Sequence, residues 1–192
     1  MIFKPCTAEG YDLMRVHPAI QTRLVRWAEG RMSRRDPDFI IGDNYLLRWY
    51  VTPWKKWSLR HPLRRDRRLM LGKYAPVNVY LHRIERSDDD RALHDHPWSS
   101  ASVILVGGYD EVVPLDPADP AGEVKRLRRR PGDITFRGPR SAHRLELIEG
   151  SCVSLFLMGP KVRDWGFWCK WGWRPWWEFV GDDPGQVGRG CD

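Results

Sequence analysis

From Val77 to Met158 the chain alternates short runs of branched and aromatic residues with turn residues, at intervals of a few positions. Strand-like runs fall at Val77–Ile84, Ala101–Val106, Tyr109–Val113, Glu123–Leu127, Asp133–Phe136, His143–Leu147 and Cys152–Met158. Asp88-Asp89-Asp90, Gly107-Gly108, the Pro114 to Gly122 stretch and Glu149-Gly150-Ser151 separate them. Many short strands joined by regular turns predict an all-β sandwich or barrel. Ahead of this region, Leu13, Val16, Ile20, Leu24 and Trp27 recur at helical spacing between Asp12 and Arg31, with Gly30 as a stop signal. They predict an amphipathic helix packed on the core, which Pro18 either breaks or starts. Tyr45–Val51 reads as an early strand that closes at Pro53. Six of the eleven tryptophans, Trp165, Trp168, Trp171, Trp173, Trp176 and Trp177, crowd the segment after Gly159-Pro160. Such large side chains are expected to close one side of the barrel or to form a subunit interface; one or two of them are candidates to face a substrate, and core packing is expected of the others.

A chain of 192 residues is long enough for one domain with extensions that needs no metal merely to hold it together. The N-terminus lacks the apolar stretch of a signal peptide, and no run approaches the ~20 apolar residues that would span a membrane. The expectation is a cytoplasmic protein with no membrane partner. Cys6, Cys152, Cys169 and Cys191 are scattered, so reduced thiols are expected rather than a disulfide framework.

The formal charge of +7 is uneven. Residues 1–75 carry 16 Lys/Arg against 7 Asp/Glu, a balance of +9, leaving −2 for residues 76–192. The densest basic stretch runs from Trp54-Lys55-Lys56-Trp57 to Arg67-Arg68. Interleaved cations and aromatic rings suit phosphates and stacked bases, so nucleic acid is a candidate partner; a solvated loop explains the same composition.

Within the strand region, His94-Asp95-His96 places two imidazoles on one face of a strand, able to hold one cation, with Asp95 directed away. His143, from a later strand, supplies a third. Tyr80 and His82 share a face of the preceding strand and either line the cavity or pack ordinarily. Arg48 is a candidate site residue or a surface ion-pair partner.

Val79 to Asp110, with His94-Asp95-His96 and Gly107-Gly108, resembles the first motif of the cupins, and Pro131-Gly132-Asp133 through Pro139 to His143 resembles the second. The resemblance covers roughly residues 76–160 and implies a double-stranded β-helix (jelly-roll) barrel holding a divalent metal. It also implies three parts: a basic N-terminal helix and strand extension (1–75), the barrel core (76–160) and a Trp-rich C-terminal segment (161–192). Where many cupins place a glutamate ligand, this chain has Ser100 and Ala101, which leaves three neutral histidines. That set is similar to the thiol dioxygenases, of which cysteine dioxygenase is the best known. Asn78-Val79-Tyr80-Leu81, His143-Arg144-Leu145-Glu146, Val153-Ser154-Leu155 and Gly159-Pro160 look like that family's segments, and Arg48 sits about where it keeps an arginine for the substrate carboxylate. The family's crosslinking cysteine is replaced by Ala101, and tryptophans follow Pro160 where an active-site tyrosine would stand, so cysteine itself is not the implied substrate. Trp165-Gly166-Phe167-Trp168 and Gly188-Arg189-Gly190-Cys191 also resemble uncharacterised bacterial and phage cupin-like proteins.

The resulting expectation is an enzyme with one divalent metal on His94, His96 and His143. Fe(II) is the natural ion for an oxygenase, and Zn(II), Mn(II) or Ni(II) would accept similar ligands. Arg48, Tyr80 and His82 are the candidate catalytic residues, and the substrate is a small molecule bearing a carboxylate or thiol. Two alternatives remain open: a cupin isomerase or lyase, and a non-catalytic, metal-stabilised module whose basic face meets nucleic acid or protein. By analogy with cupins, a homodimer is a candidate assembly. Cys191 is expected to be inert, or to fold with the tail over the metal.

Overall fold

The computed structural model describes residues 14–52, 77–88, 92–180 and 190–191. The basic run at 54–68 and Cys6 lie outside them. The helix α1 (Pro18–Met32) starts at Pro18, whose fixed φ and missing N–H suit the first turn. His17 caps it, its Nδ1 accepting from the Ala19 N–H at 3.3 Å. Leu24, Val25, Ala28 and Met32 pack on Trp49, Leu81, Leu105 and Val153. The buried stripe is rotated from the predicted one: Ile20 and Trp27 stay exposed. Gln21 faces the sheet instead and donates to the Ile104 and Leu105 carbonyls at 3.1 and 2.8 Å, which docks the helix on polar as well as apolar contacts.

Twelve strands follow among the described residues: β1 (Phe39–Ile41), β2 (Leu46–Tyr50), β3 (Asn78–Ile84), β4 (Leu93–His94), β5 (Ser100–Val106), β6 (Tyr109–Pro114), β7 (Val124–Arg129), β8 (Ile134–Arg137), β9 (Arg144–Leu147), β10 (Cys152–Met158), β11 (Gly166–Cys169) and β12 (Gly172–Pro175). One layer has the order β1-β2-β3-β10-β5-β8, every described pair antiparallel. The other consists of β12-β11-β4 and β7-β6-β9, joined where His94 and His143 exchange backbone hydrogen bonds of 2.9 Å in both directions. Together they form an all-β double-stranded β-helix, or jelly-roll, barrel. Strands on both sides of residues 76–160 contribute to these sheets.

Period-two alternation decides what each layer shows to the interior. Trp49, Leu81, Leu105 and Val153 face outward, under α1. Leu46, Ile84, Ile104 and Cys152 meet Tyr109, Leu145 and Leu147 of the opposite layer inside the barrel. The β5–β6 hairpin turns on Gly107, at φ +71°, where a Cβ would lie 2.3 Å from the Ser151 carbonyl oxygen. No other residue fits there without moving backbone.

The C-terminal segment departs from the sequence expectation in two respects. Its tryptophans are not mainly core: β11 and β12 form a hairpin that pairs with β4, Trp171 at the turn is 89% exposed, and Trp176 and Trp177 on the short helix α2 (Trp176–Val180) are exposed as well. Phe167 and Cys169 of β11 are buried with Phe179, with Trp165 packed against them, while Trp168 packs on Leu93, Val112 and Ala142. Trp165 stacks on Trp176 with centroids 6.0 Å apart, and Phe167 on Phe179 at 3.7 Å. Moreover, Cys169 and Cys191 form a disulfide instead of remaining reduced, pinning the C-terminus to β11 rather than over the histidines. Spacing alone does not reveal that pair, because the two cysteines are separated by 22 positions that hold a strand and a short helix. Among the described residues no helix is long and apolar enough to cross a membrane.

Candidate metal centre

His94 ends β4, His96 lies just beyond it and His143 immediately precedes β9, so the paired backbones of His94 and His143 fix two of the three side chains at the seam of one layer. One ring nitrogen from each of the three histidines lies within 4.8 Å of the others. The Nε2 atoms of His96 and His143 are 2.9 Å apart. Two imidazoles bound ~2.1 Å from one ion at right angles would place their nitrogens roughly 3 Å apart, so this pair already has the separation a shared cation requires. Burial, and then the neighbouring His143, His94, Arg137 and His82, push the His96 pKa well below the ordinary imidazole range. Burial and Arg137 push His143 down to about 4, against the opposing pull of Glu111. Both rings are therefore neutral at pH 7, the form that donates a lone pair to a metal. The donor set fits a divalent ion.

Two carboxylates stand behind the histidines. Asp88 Oδ2 lies 3.8 Å from His94 Nδ1 and also accepts from the Leu145 N–H at 2.7 Å, while its other oxygen accepts from the Tyr45 hydroxyl. Glu111 of β6, 3% exposed, brings Oε1 to 3.2 Å from His143 Nδ1. The approach is off-axis and leaves Nδ1 without a well-formed hydrogen bond. Glu111 also accepts from Arg137 Nε at 2.6 Å and Arg129 Nε at 2.7 Å. Burial alone would raise its pKa, yet Arg137, His143 and Arg129 hold it well below the usual carboxylate range. Neither acid is a metal ligand by position. Glu111 stands against His143 Nδ1 on the side away from the Nε2 that faces His96, and Asp88 stands near His94 Nδ1 without a hydrogen bond to it.

Asp95, between the paired histidines, is fully buried and faces the C-terminal hairpin. Its oxygens accept from Arg163 at 2.6 Å, from the Trp173 indole N–H at 3.0 Å and from the Gly166 N–H at 3.0 Å. It thus anchors the segment whose Trp165 and Phe167 rings lie beside His94, at 6.4 and 5.9 Å.

Arg48, Tyr80 and His82 form a second group inside the barrel. Arg48 Nε donates to His82 Nε2 at 2.9 Å, and its guanidinium sits 4.8 Å from the centre of the Tyr80 ring. Tyr80 and Phe156 both stack on His82. Burial and Arg48 push the His82 pKa well down, so this histidine is a neutral acceptor. Among the described residues Arg48 has no carboxylate partner, and burial lowers its pKa. From here an aromatic cluster of Tyr50, Tyr80, Phe156 and Trp98 leads to the metal cluster, where Trp98 stacks on His96 at 6.0 Å. Asn78 Oδ1, the Tyr80 hydroxyl, Trp98 Nε1 and Ser100 Oγ are all buried there without hydrogen-bond partners.

A cavity of about 820 Å³ touches His143 alone of the three histidines and reaches it on the side of Glu111. No family model and no curated sequence matches the chain. Among solved structures it is similar to a DMSP lyase (12% identity, TM-score 0.38, covering 60% of this chain and 48% of that one). It is similar also to Fe(II) HppE (11% identity, TM-score 0.44, 65% and 56%). A Bacillus subtilis oxalate decarboxylase with Mn(II) centres aligns as well (14% identity, TM-score 0.43, 73% and 32%). The chain spans about half the length of the first two and about a third of the last.

Proposed function

We propose that the protein is a mononuclear metal-dependent oxygenase acting on a small substrate that bears a carboxylate or thiol. The observation that carries this reading is the convergence of three imidazole nitrogens within 4.8 Å inside the barrel. His94, His96 and His143 would hold one divalent ion, with Fe(II) the best match to the chemistry. Such an ion, once bound, supplies a Lewis-acidic centre with open positions for substrate and dioxygen. With no anionic ligand in the set, the site keeps its full positive charge and favours anionic groups.

The remaining work falls to the chain's own residues. Arg48, a largely buried cation paired among the described residues with neutral groups, is suited to a substrate carboxylate, since bidentate guanidinium–carboxylate contacts are strong in low dielectric. His82 fixes Arg48 by accepting its Nε–H, and leaves the terminal nitrogens to the ligand. Tyr80 holds the guanidinium from the ring side and keeps its hydroxyl free for a polar group of substrate. The unpaired atoms of Asn78, Trp98 and Ser100 are expensive in a dry interior, and their concentration beside His96 supports a polar ligand at this end of the barrel. Trp165 and Phe167 shield the His94 side from water.

Elemental analysis of protein purified with and without His143→Ala tests the metal site: the wild type retains about one ion per chain and the variant loses it. Oxygen uptake by the iron-loaded protein is then measured with a panel of small thiols and carboxylic acids. Retention of iron with no oxygen consumption for any member would refute the oxygenase reading, and equal metal in both proteins would refute the ligand set.

A further inference from the structure

On the side of the barrel away from Arg48 the two layers part. β6 and β7 form one wall, β8 and the 138–143 turn the other, and the cavity of about 820 Å³ lies between them. Its size is that of a small-molecule site. The charge of its lining is one-sided: Lys125, Arg129, Arg137, Arg140 and Arg163 surround it, against the single carboxylate of Glu111. Glu111 is already shared between Arg129 and Arg137, so that trio carries a net positive charge. Arg163 is bound to Asp95 and to the Pro139 carbonyl. Arg140, at the rim, makes no ion pair among the described residues. Between the cations the lining is apolar, from the half-buried Val113 and Leu127 to Phe136 and Val162, which are 68% and 66% exposed. Large apolar side chains left this open along one cavity mark a surface that something covers.

We propose that this groove is a second ligand site, for a small amphipathic anion: an aromatic or compact aliphatic body carrying one phosphate or carboxylate head. The body lies between Phe136 and Val162, displacing water from both. The head meets Arg140 at the rim and Arg129 on the floor, where the excess positive charge is fixed and partly dehydrated, so each contact is stronger than between fully exposed ions. Glu111 prevents a deeper anion from reaching His143, which keeps this site apart from the face on which the histidines converge. An inorganic anion lacks the apolar half of the recognition and a neutral ring the charged half, so only a molecule with both binds well. The inference stands without any bound metal and does not depend on the oxygenase reading.

Calorimetric titration of the full-length protein with phenyl phosphate, inorganic phosphate and benzyl alcohol provides the test. Phenyl phosphate is expected to bind at least tenfold more tightly than either other probe, and benzoate in place of phenyl phosphate shows whether a carboxylate head serves as well. Arg140→Ser and Phe136→Ser, both exposed and outside the histidine cluster, should each weaken phenyl phosphate at least fivefold and leave metal content unchanged. Equal affinity for inorganic and phenyl phosphate, absence of saturable binding, or unchanged binding in both variants would overturn the proposal.

Discussion

Replacing Glu111 by glutamine keeps the side chain's size and removes its charge, which makes it the sharpest probe of how the third histidine is held. In the wild type, one carboxylate accepts from Arg137 at 2.6 Å and Arg129 at 2.7 Å and faces His143 Nδ1 at 3.2 Å. Two consequences follow, with different sizes. Arg137 is 7% exposed and Arg129 13% exposed, so a neutral amide leaves two largely buried guanidinium groups beside each other without an anion. Breaking a buried pair in this way costs about 3–5 kcal/mol, and partial solvent access at Arg129 places the expected loss of stability near the lower figure. The second effect is on the metal. An acid behind a histidine ligand sets which ring nitrogen carries the proton and raises the basicity of the other, and its loss weakens metal binding by about 10–100-fold.

Urea unfolding of the metal-free proteins measures the first effect, and competition with a chromophoric chelator measures the second. The two separate cleanly in Glu111→Gln combined with Arg129→Gln. Removing one orphaned cation should recover part of the stability but none of the metal affinity, because His143 still lacks its anion. If Glu111→Gln bound metal as tightly as wild type while losing stability, Glu111 would be a structural counter-ion only and the argument about His143 would fail.

Three further outcomes follow from the same geometry. His143 titrates at about 4 in the fold, driven down by burial and Arg137, whereas an unfolded imidazole titrates near 6.5, so between these values the unfolded chain binds a proton that the folded chain refuses. Stability of the metal-free protein must therefore fall with pH; from pH 7.5 to 5.0 this one residue accounts for about 2 kcal/mol, with His82 and His96 adding to it, and a flat urea midpoint over that range would contradict the assignment. Tyr80→Phe removes a buried hydroxyl that has no partner, so the ligand-free protein should be as stable as wild type or slightly more so; a melting temperature lowered by several degrees would show that the hydroxyl is already satisfied. Cys191→Ser opens the Cys169–Cys191 link, whose separation of 22 residues corresponds to about 3 kcal/mol of chain entropy, and a thermal transition unchanged by this substitution would show that the C-terminus contributes nothing to the hairpin.

The barrel was legible in the sequence where a strand is long enough to show its period. β3, β5 and β10 each run seven residues and alternate between the helix-covered and interior faces, β6 runs six in the opposite layer, and Gly107 marks the turn between β5 and β6. β4 has two residues and β1 three, too few for any period to appear. β11 and β12 mix tryptophan with glycine and proline, and it is their pairing with each other, extended by β4 on the β11 side, that makes them strands. The histidines were legible because two imidazoles one residue apart, with a third on a later strand, are rare without a reason. The basic segment at 54–68 lies outside the described residues, so the reading of its charge gains nothing from the fold.

Glu111 escaped notice although its position carried a signal. In β6 the residues Tyr109, Glu111 and Val113 share the phase that points into the barrel, and in β8 Thr135 and Arg137 do the same. A charge in the inward phase of a strand that is otherwise apolar is costly unless a partner awaits it. The partners of Glu111 come from β7, β8 and the approach to β9, which lie 18, 26 and 32 positions later, so no local window could have matched them. Arg48 obeys the same logic in β2, between Leu46 and Tyr50 in the inward phase, but among the described residues its hydrogen-bond partner is a neutral histidine. The contrast separates the two kinds of buried charge in this barrel. Glu111 is neutralised by Arg129 and Arg137 and stands against His143, whereas Arg48 lacks a counter-ion among the described residues. On the proposed function, a carboxylate brought by the substrate would complete it, and the two buried charges would then serve different tasks in the same interior.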